Sequence, residues 1–138
     1  MVSSKSVMNE YSFEKLDVYK LAQEYRKKIY KLTYKLPPEE QYNLVIQMRK
    51  AALSLTNNIA EGHGRYNYQE NIQFLRISRG SLEELIDDLN TCIDENYADK
   101  DYIENLKQEG YALLKKLNGY IKYLKSKKQP EPINQLTN

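Results

Sequence analysis

The sequence predicts an all-α protein, an antiparallel up-down-up-down four-helix bundle. Three observations predict it. Apolar residues recur at helical period in four separate stretches, each about 20–28 residues or ~30–40 Å long. The joins between them are short and marked by proline, glycine or asparagine, and short joins between similar helices make antiparallel neighbours. The composition is poor in turn residues, with 5 Gly and 4 Pro in 138 residues and 29% charged, and no alternating pattern competes for strands. The reading divides the chain into a flexible N-terminus (1–12), the bundle (13–128) and a disordered tail (129–138) whose two prolines and few apolar residues give nothing to bury.

The first helix is expected from about Phe13 to Leu36, stopping at Pro37-Pro38. Wound at about 100° per residue, Val18, Leu21, Ala22, Tyr25, Ile29, Leu32 and Leu36 share one stripe, and Lys20, Lys27 and Lys31 face away. The second begins at Pro38, where proline gives up no needed hydrogen bond and Glu39 and Glu40 meet the positive end of the helix dipole. Its stripe is Leu44, Val45, Met48, Ala51, Ala52, Leu55 and Ile59, and Gly62 and Gly64 end it. The third starts after Asn67, which with Glu70 forms a capping-box-like pair. It runs through Ile72, Leu75, Leu82, Leu85, Ile86, Leu89 and Ile93 to about Asn96. The fourth starts near Asp99 or Asp101, buries Tyr102, Ile103, Leu106, Leu113, Leu114, Leu117, Ile121 and Leu124, and frays in the lysines around Ser126.

Charge is unevenly spread. Positions 20–35 hold six basic residues and one acid, positions 83–109 ten acids and two lysines, and positions 115–128 six lysines and no acid. An antiparallel bundle sets the basic end of helix 1 beside the acidic turn between helices 3 and 4, and the basic end of helix 4 near Glu10, Glu14 and Asp17. Folding therefore accounts for much of the pattern, and a net charge of +2 does not argue for nucleic acid by itself.

Several function classes fall away. One Cys excludes a disulfide framework within the chain, and one His makes zinc and two-His iron sites improbable within one chain. Glu61 and His63 are two apart and do not share a helix face. Gly62-His63-Gly64 lacks the Lys-Ser/Thr ending of a phosphate loop. Cys92 lies at the edge of the third stripe and reads as a small buried hydrophobe. No nucleophile–base pattern stands out, so no enzyme, cofactor or small-molecule substrate is expected. No run of apolar residues is long enough for a membrane span and no signal peptide is visible, so the expected location is the cytoplasm, away from membrane.

Three features remain. Ser54, Asn58 and Glu61, spaced i, i+4, i+7, form a polar row opposite the core stripe, with Gly62 and Arg65 at the following turn. Such residues compete for backbone hydrogen bonds and suit a helix poorly, so the row suggests a specified network or an exposed polar face. Gly80-Ser81 interrupts the third helix, where glycine costs about 1 kcal/mol against alanine. Close approach of another backbone is the expected reason. Finally, Tyr42, Ile46, Leu53 and Ala60 make a second apolar row on helix 2, and Tyr19, Tyr30 and Tyr34 flank the stripe of helix 1. A bundle helix needs one stripe for its own core, so a second suggests burial against another copy. With 13 Tyr in the chain, some simply sit at the core boundary with polar tips in water.

Two blocks carry a resemblance: Arg49 to Arg65, with Asn58-Ile59-Ala60-Glu61-Gly62-His63-Gly64-Arg65, and Phe74 to Leu85, with Phe74-Leu75 and Gly80-Ser81-Leu82-Glu83-Glu84. Together with Phe13-Glu14-Lys15-Leu16-Asp17-Val18-Tyr19, they resemble the four-helix-bundle proteins encoded by intervening sequences within 23S ribosomal RNA genes. Ser78 stands where that family often has alanine. The resemblance implies a bacterial cytoplasmic bundle assembling as a pentameric ring. It also implies a distant likeness to the accessory variability determinant of diversity-generating retroelements, which pairs with a reverse transcriptase and binds nucleic acid. The family name records a gene's location and no activity.

Two functions follow as expectations. One is a non-enzymatic oligomeric scaffold binding RNA, DNA or a reverse-transcriptase-like partner. Its phosphate contacts would come from Arg26, Lys27, Lys28 and Lys31 on helix 1 and from Lys115, Lys116, Lys122, Lys125, Lys127 and Lys128 on helix 4. The other is a structural or protein-interaction module with no nucleic-acid role.

Overall fold

The structure, a computed structural model, describes residues 12–127. The N-terminal segment through residue 11, the expected tail and Lys128 lie outside the described residues. Four helices form it: α1 (Asp17–Thr33), α2 (Leu44–His63), α3 (Tyr68–Asp94) and α4 (Lys100–Ser126). Short 3-10 turns occupy Phe13–Lys15 and Pro38–Glu40, and there is no strand among the described residues.

The helix ends differ from expectation for local reasons. Leu16 is extended (φ −69°, ψ 130°), so the turn at Phe13–Lys15, held by the Ser12 hydroxyl accepting from the Glu14 N–H, stays separate from α1. Pro38 starts a 3-10 turn and not α2, because Asn43 (φ −130°, ψ −92°) is far from helical geometry. The Glu40 carboxylate spans that break. It accepts from the Leu44 N–H at 3.3 Å and the Asn43 amide at 3.1 Å, and Tyr97 donates to its other oxygen at 2.6 Å. These bonds hold the Glu40 carboxyl below its usual range and push the Tyr97 phenol up to about 12. Asn67 caps α3 as read, accepting from the Glu70 N–H at 2.8 Å. Asn96, left-handed at φ 58°, follows the end of α3. Asp99, not Asp101, caps α4.

The apolar stripes meet in one core. Ile29, Leu32, Met48, Leu55, Ile59, Leu75, Leu82, Leu85, Leu89, Ile103 and Leu117 are fully buried, each such side chain contributing roughly 1.5–3 kcal/mol over an exposed one. Leu21 departs from its expected stripe and is 44% exposed. Val45, Ile93, Tyr102 and Leu114 are only partly buried.

Each helix packs on its sequence neighbours, and α1 also meets α4 across the thinnest of the four seams. That seam is tied by Tyr25, whose phenol donates to the Leu106 carbonyl at 3.0 Å. Burial pushes that phenol well above its ordinary range. Gly110 makes room for it: a Cβ there would stand 2.6 Å from the phenol oxygen and 3.0 Å from Ile86.

Candidate interaction surfaces

The polar row of α2 lies on the flank facing α3, not opposite the core. Ser81 donates to the Ser54 hydroxyl at 2.8 Å, and the Asn58 amide donates to the Ser54 carbonyl and hydroxyl at 2.9 and 3.0 Å. Glu61 and Arg65 form a separate exposed ion pair at 2.7 Å, and the Arg65 guanidinium lies 4.6 Å from the Phe74 ring centre. The structure thus brings Ser54, Asn58 and Ser81 together, and leaves Glu61 and Arg65 to brace the α2–α3 turn. Gly62 belongs with the first group as the point of close approach. A Cβ there would meet the Asn71 side-chain oxygen at 2.7 Å and the Phe74 Cβ at 2.9 Å. Gly62 is buried inside α2 and is not its cap.

Gly80 overturns its expectation: a Cβ there would meet nothing within 4 Å. The close approaches are at Gly62, met by the Asn71 backbone carbonyl at 3.0 Å, and at Gly110, met by the Tyr25 and Ile86 side chains. Ser78, marked in the sequence only as standing where the family often has alanine, is a further member of this seam. It is fully buried and donates to the Leu55 carbonyl at 2.9 Å. Asp88 was overlooked. It is buried with one carboxylate oxygen unpartnered, and burial, helped by Glu84 and Asp87, pushes its carboxyl up to about 7. Its place between Leu85 and Leu89 in the third stripe was the available signal.

The second apolar row divides. Tyr34 and Tyr42 are about four-fifths exposed, and Ile46 and Leu53 about two-fifths, so Leu53 is not a core residue. Leu36, Pro38, Tyr34, Tyr42 and Ile46 line a groove of about 520 Å³ at the α1–α2 turn. Tyr19 and Tyr30, in contrast, pack on this chain's own core. Tyr19 meets Phe13 edge-on, and Tyr30 lies 4.6 Å from the Arg49 guanidinium, which also covers Tyr34.

The two sets of basic residues differ as well. On α1, Arg26 donates to the Thr56 hydroxyl at 2.7 Å, Lys27 pairs with Glu24 at 3.2 Å, Lys28 pairs with Glu109 at 2.7 Å, and Lys31 is exposed. On α4, Lys115, Lys116, Lys122, Lys125 and Lys127 are exposed and form no ion pair among the described residues. Lys127 sits 5.6 Å over the Tyr123 ring.

Among the described residues, no group of three or more His, Cys, Asp or Glu side chains is placed to hold a metal ion, and no helix is long and apolar enough to cross a membrane. Cys92 is buried, which pushes its thiol up to about 11 and away from the reactive thiolate.

Comparison with known proteins decides the family. The model of the 23S rRNA-intervening sequence proteins matches residues 14–119. The chain belongs to this family. A crystal structure of a protein of unknown function, from the S23 ribosomal protein family of Bacteroides thetaiotaomicron, has a similar fold. It superposes with a TM-score of 0.71 at 21% identity, covering 76% of this chain and 98% of that one. Comparison with curated proteins gave no match. For this 23S rRNA-intervening sequence protein, the matched span takes in all the surfaces above except the last turns of α4.

Proposed function

We propose that this protein is a non-enzymatic, self-associating scaffold that binds nucleic acid. Its helices run up-down-up-down. Cross-helix contacts support that order, because partners move in opposite directions along the chain: Arg26 meets Thr56 while Thr33 meets Arg49, and Arg79 meets Asn118 while Ile86 meets Gly110. The exposed row of Tyr42, Ile46 and Leu53 is the surface on which copies associate. A pentameric ring is the arrangement that the family resemblance implies, and a cytoplasmic location goes with it.

The observation that carries nucleic-acid binding is the exposed lysine row of α4, which forms no ion pair among the described residues. The α1 set contributes less, two of its four cations being held in ion pairs. A ring repeats a modest patch several times, and repetition converts weak contacts into avidity. The test is a salt titration of RNA and DNA oligonucleotide binding alongside light scattering. Phosphate contacts must weaken steeply as salt rises. An oligomer that binds neither strand type leaves the second reading, a protein-interaction module, which the apolar α2 face favours by itself. Leu53→Glu should dissociate the oligomer without unfolding the helices. A chain that is monomeric before substitution removes the scaffold.

A further inference from the structure

Gly119 sits inside the second half of α4, where glycine weakens a helix against alanine. Among the described residues, a Cβ at Gly119 would meet no side chain and no other element within 4 Å. Its neighbours one helical turn away, at i−4, i−3, i+3 and i+4, are Lys115, Lys116, Lys122 and Tyr123. The three lysines are exposed and unpaired, and Tyr123 is 53% exposed, stacked at 6.3 Å on Tyr120. The bare backbone of Gly119 is therefore the floor of a saddle with ammonium groups on three corners and an aromatic face on the fourth.

Helix α3 extends the charge. Arg79 donates to the Asn118 side chain at 3.0 Å, which sets it against the residue beside Gly119. Arg76, one turn earlier on α3, is exposed. Neither arginine forms an ion pair among the described residues. Glu83, one turn beyond Arg79, begins the acidic half of α3 and bounds the patch.

We propose that this saddle is the nucleic-acid site, and that it takes a single strand. The inference deepens the binding reading above and rests on it. Several cations around a side-chain-free floor suit a phosphodiester backbone, which needs both charge and close access. Tyr123, half exposed, suits an unpaired base, which would take the ring face that Lys127 overlies at 5.6 Å, because stacking on an aromatic face needs a base free of its duplex partner. A duplex keeps its base faces covered, so Tyr123 would have nothing to stack on. An acidic protein would satisfy the lysines but leave the tyrosine unused.

The test uses the full chain and a fluorescent single-stranded oligonucleotide, compared with the same strand annealed to its complement. Gly119→Gln fills the saddle while improving helix propensity, so its thermal midpoint should hold or rise while single-strand affinity falls at least tenfold. Arg76→Gln with Lys122→Gln should lower affinity at least tenfold and flatten the slope of log affinity against log salt by about 2. Tyr123→Leu should cut single-strand affinity several-fold with the slope unchanged. Lys27→Gln with Lys31→Gln on α1 should stay within twofold. The placement is overturned if Gly119→Gln binds normally, if it dissociates the oligomer in place of blocking the strand, or if the α1 variant is the one that loses affinity. Equal affinity for duplex, or equal displacement by polyglutamate, overturns the single-strand assignment. A native chain that binds neither form overturns this proposal together with the reading beneath it.

Discussion

Two basic stretches, on α1 and on the second half of α4, look alike in the sequence and differ in the fold. Arg26, Lys27 and Lys28 turn toward Thr56, Glu24 and Glu109. Lys115, Lys116, Lys122, Lys125 and Lys127 form no ion pair among the described residues, although Lys116 borders a groove that Glu24 and Glu109 also line. Register accounts for one of the α1 pairs: Lys28 reaches Glu109 because the C-terminal half of α1 lies beside the first half of α4, whereas Lys27 pairs with Glu24 within α1, and Asn118, further along α4, meets Arg79 of α3.

The glycines of α4 divide the same way. Gly110 faces α1 and is filled by Tyr25, while Gly119 faces open space. The largest effect expected is therefore at Gly110. Gly110→Ala drives a methyl into the Tyr25 phenol and should destabilise the fold by about 2–3 kcal/mol in a denaturant melt. A neutral result would mean the α1–α4 seam is not held as described, and the contrast between the two lysine sets would weaken with it.

Asp88 tests the acidic side of the comparison. Its folded carboxyl titrates at about 7, above the roughly 3.9 of an unfolded chain. The folded state thus holds its proton more tightly. Its contribution is fully present below about pH 4 and is lost as pH rises toward 7 and beyond. Asp88→Asn should match the native protein near pH 4 and exceed it by roughly 1–3 kcal/mol near pH 8. Melts showing the same difference at both pH values would refute the buried-carboxyl account.

Much of this fold was legible in the residues. The four stripes and the Asn67 cap are properties of local periodicity and capping, which a single sequence carries, while the choice between Asp99 and Asp101 at the start of α4 stayed open. The polar row was visible as an oddity, but its side was misjudged, because Ser54 and Asn58 lie at the stripe's edge, where only the crossing helix says which flank is covered. Gly80 was given the close approach that belongs to Gly62 and Gly110, since a glycine's neighbours come from other elements. The Lys28–Glu109 pair depends on inter-helix register and agrees in part with the charge runs, whereas Lys27–Glu24 is an i,i+3 pair within α1. Asp88 went unread because it was counted among ten acids in positions 83–109 and not as a member of a stripe.

A smaller effect is expected at Asn58. Its amide bonds stay within α2 and support the Ser54–Ser81 contact. Asn58→Ala should cost about 1 kcal/mol, the lost bonds outweighing alanine's better helix propensity. A stabilised variant would return the residue to a plain exposed position. The smallest effect is at Lys28. The Lys28–Glu109 pair is about half exposed on both sides, so Lys28→Ala should change stability by less than about 0.5 kcal/mol.

The central claim is that, among the described residues, α4 presents the larger set of unpaired cations, α1 holding two of its four in ion pairs. Its most direct test is the salt dependence of oligonucleotide binding for two charge-removed variants, Lys27→Gln with Lys28→Gln and Lys115→Gln with Lys122→Gln. The α4 pair should flatten the slope of log affinity against log salt by about 2 while the α1 pair leaves it unchanged. Equal flattening by both pairs, or flattening by the α1 pair alone, would contradict the account.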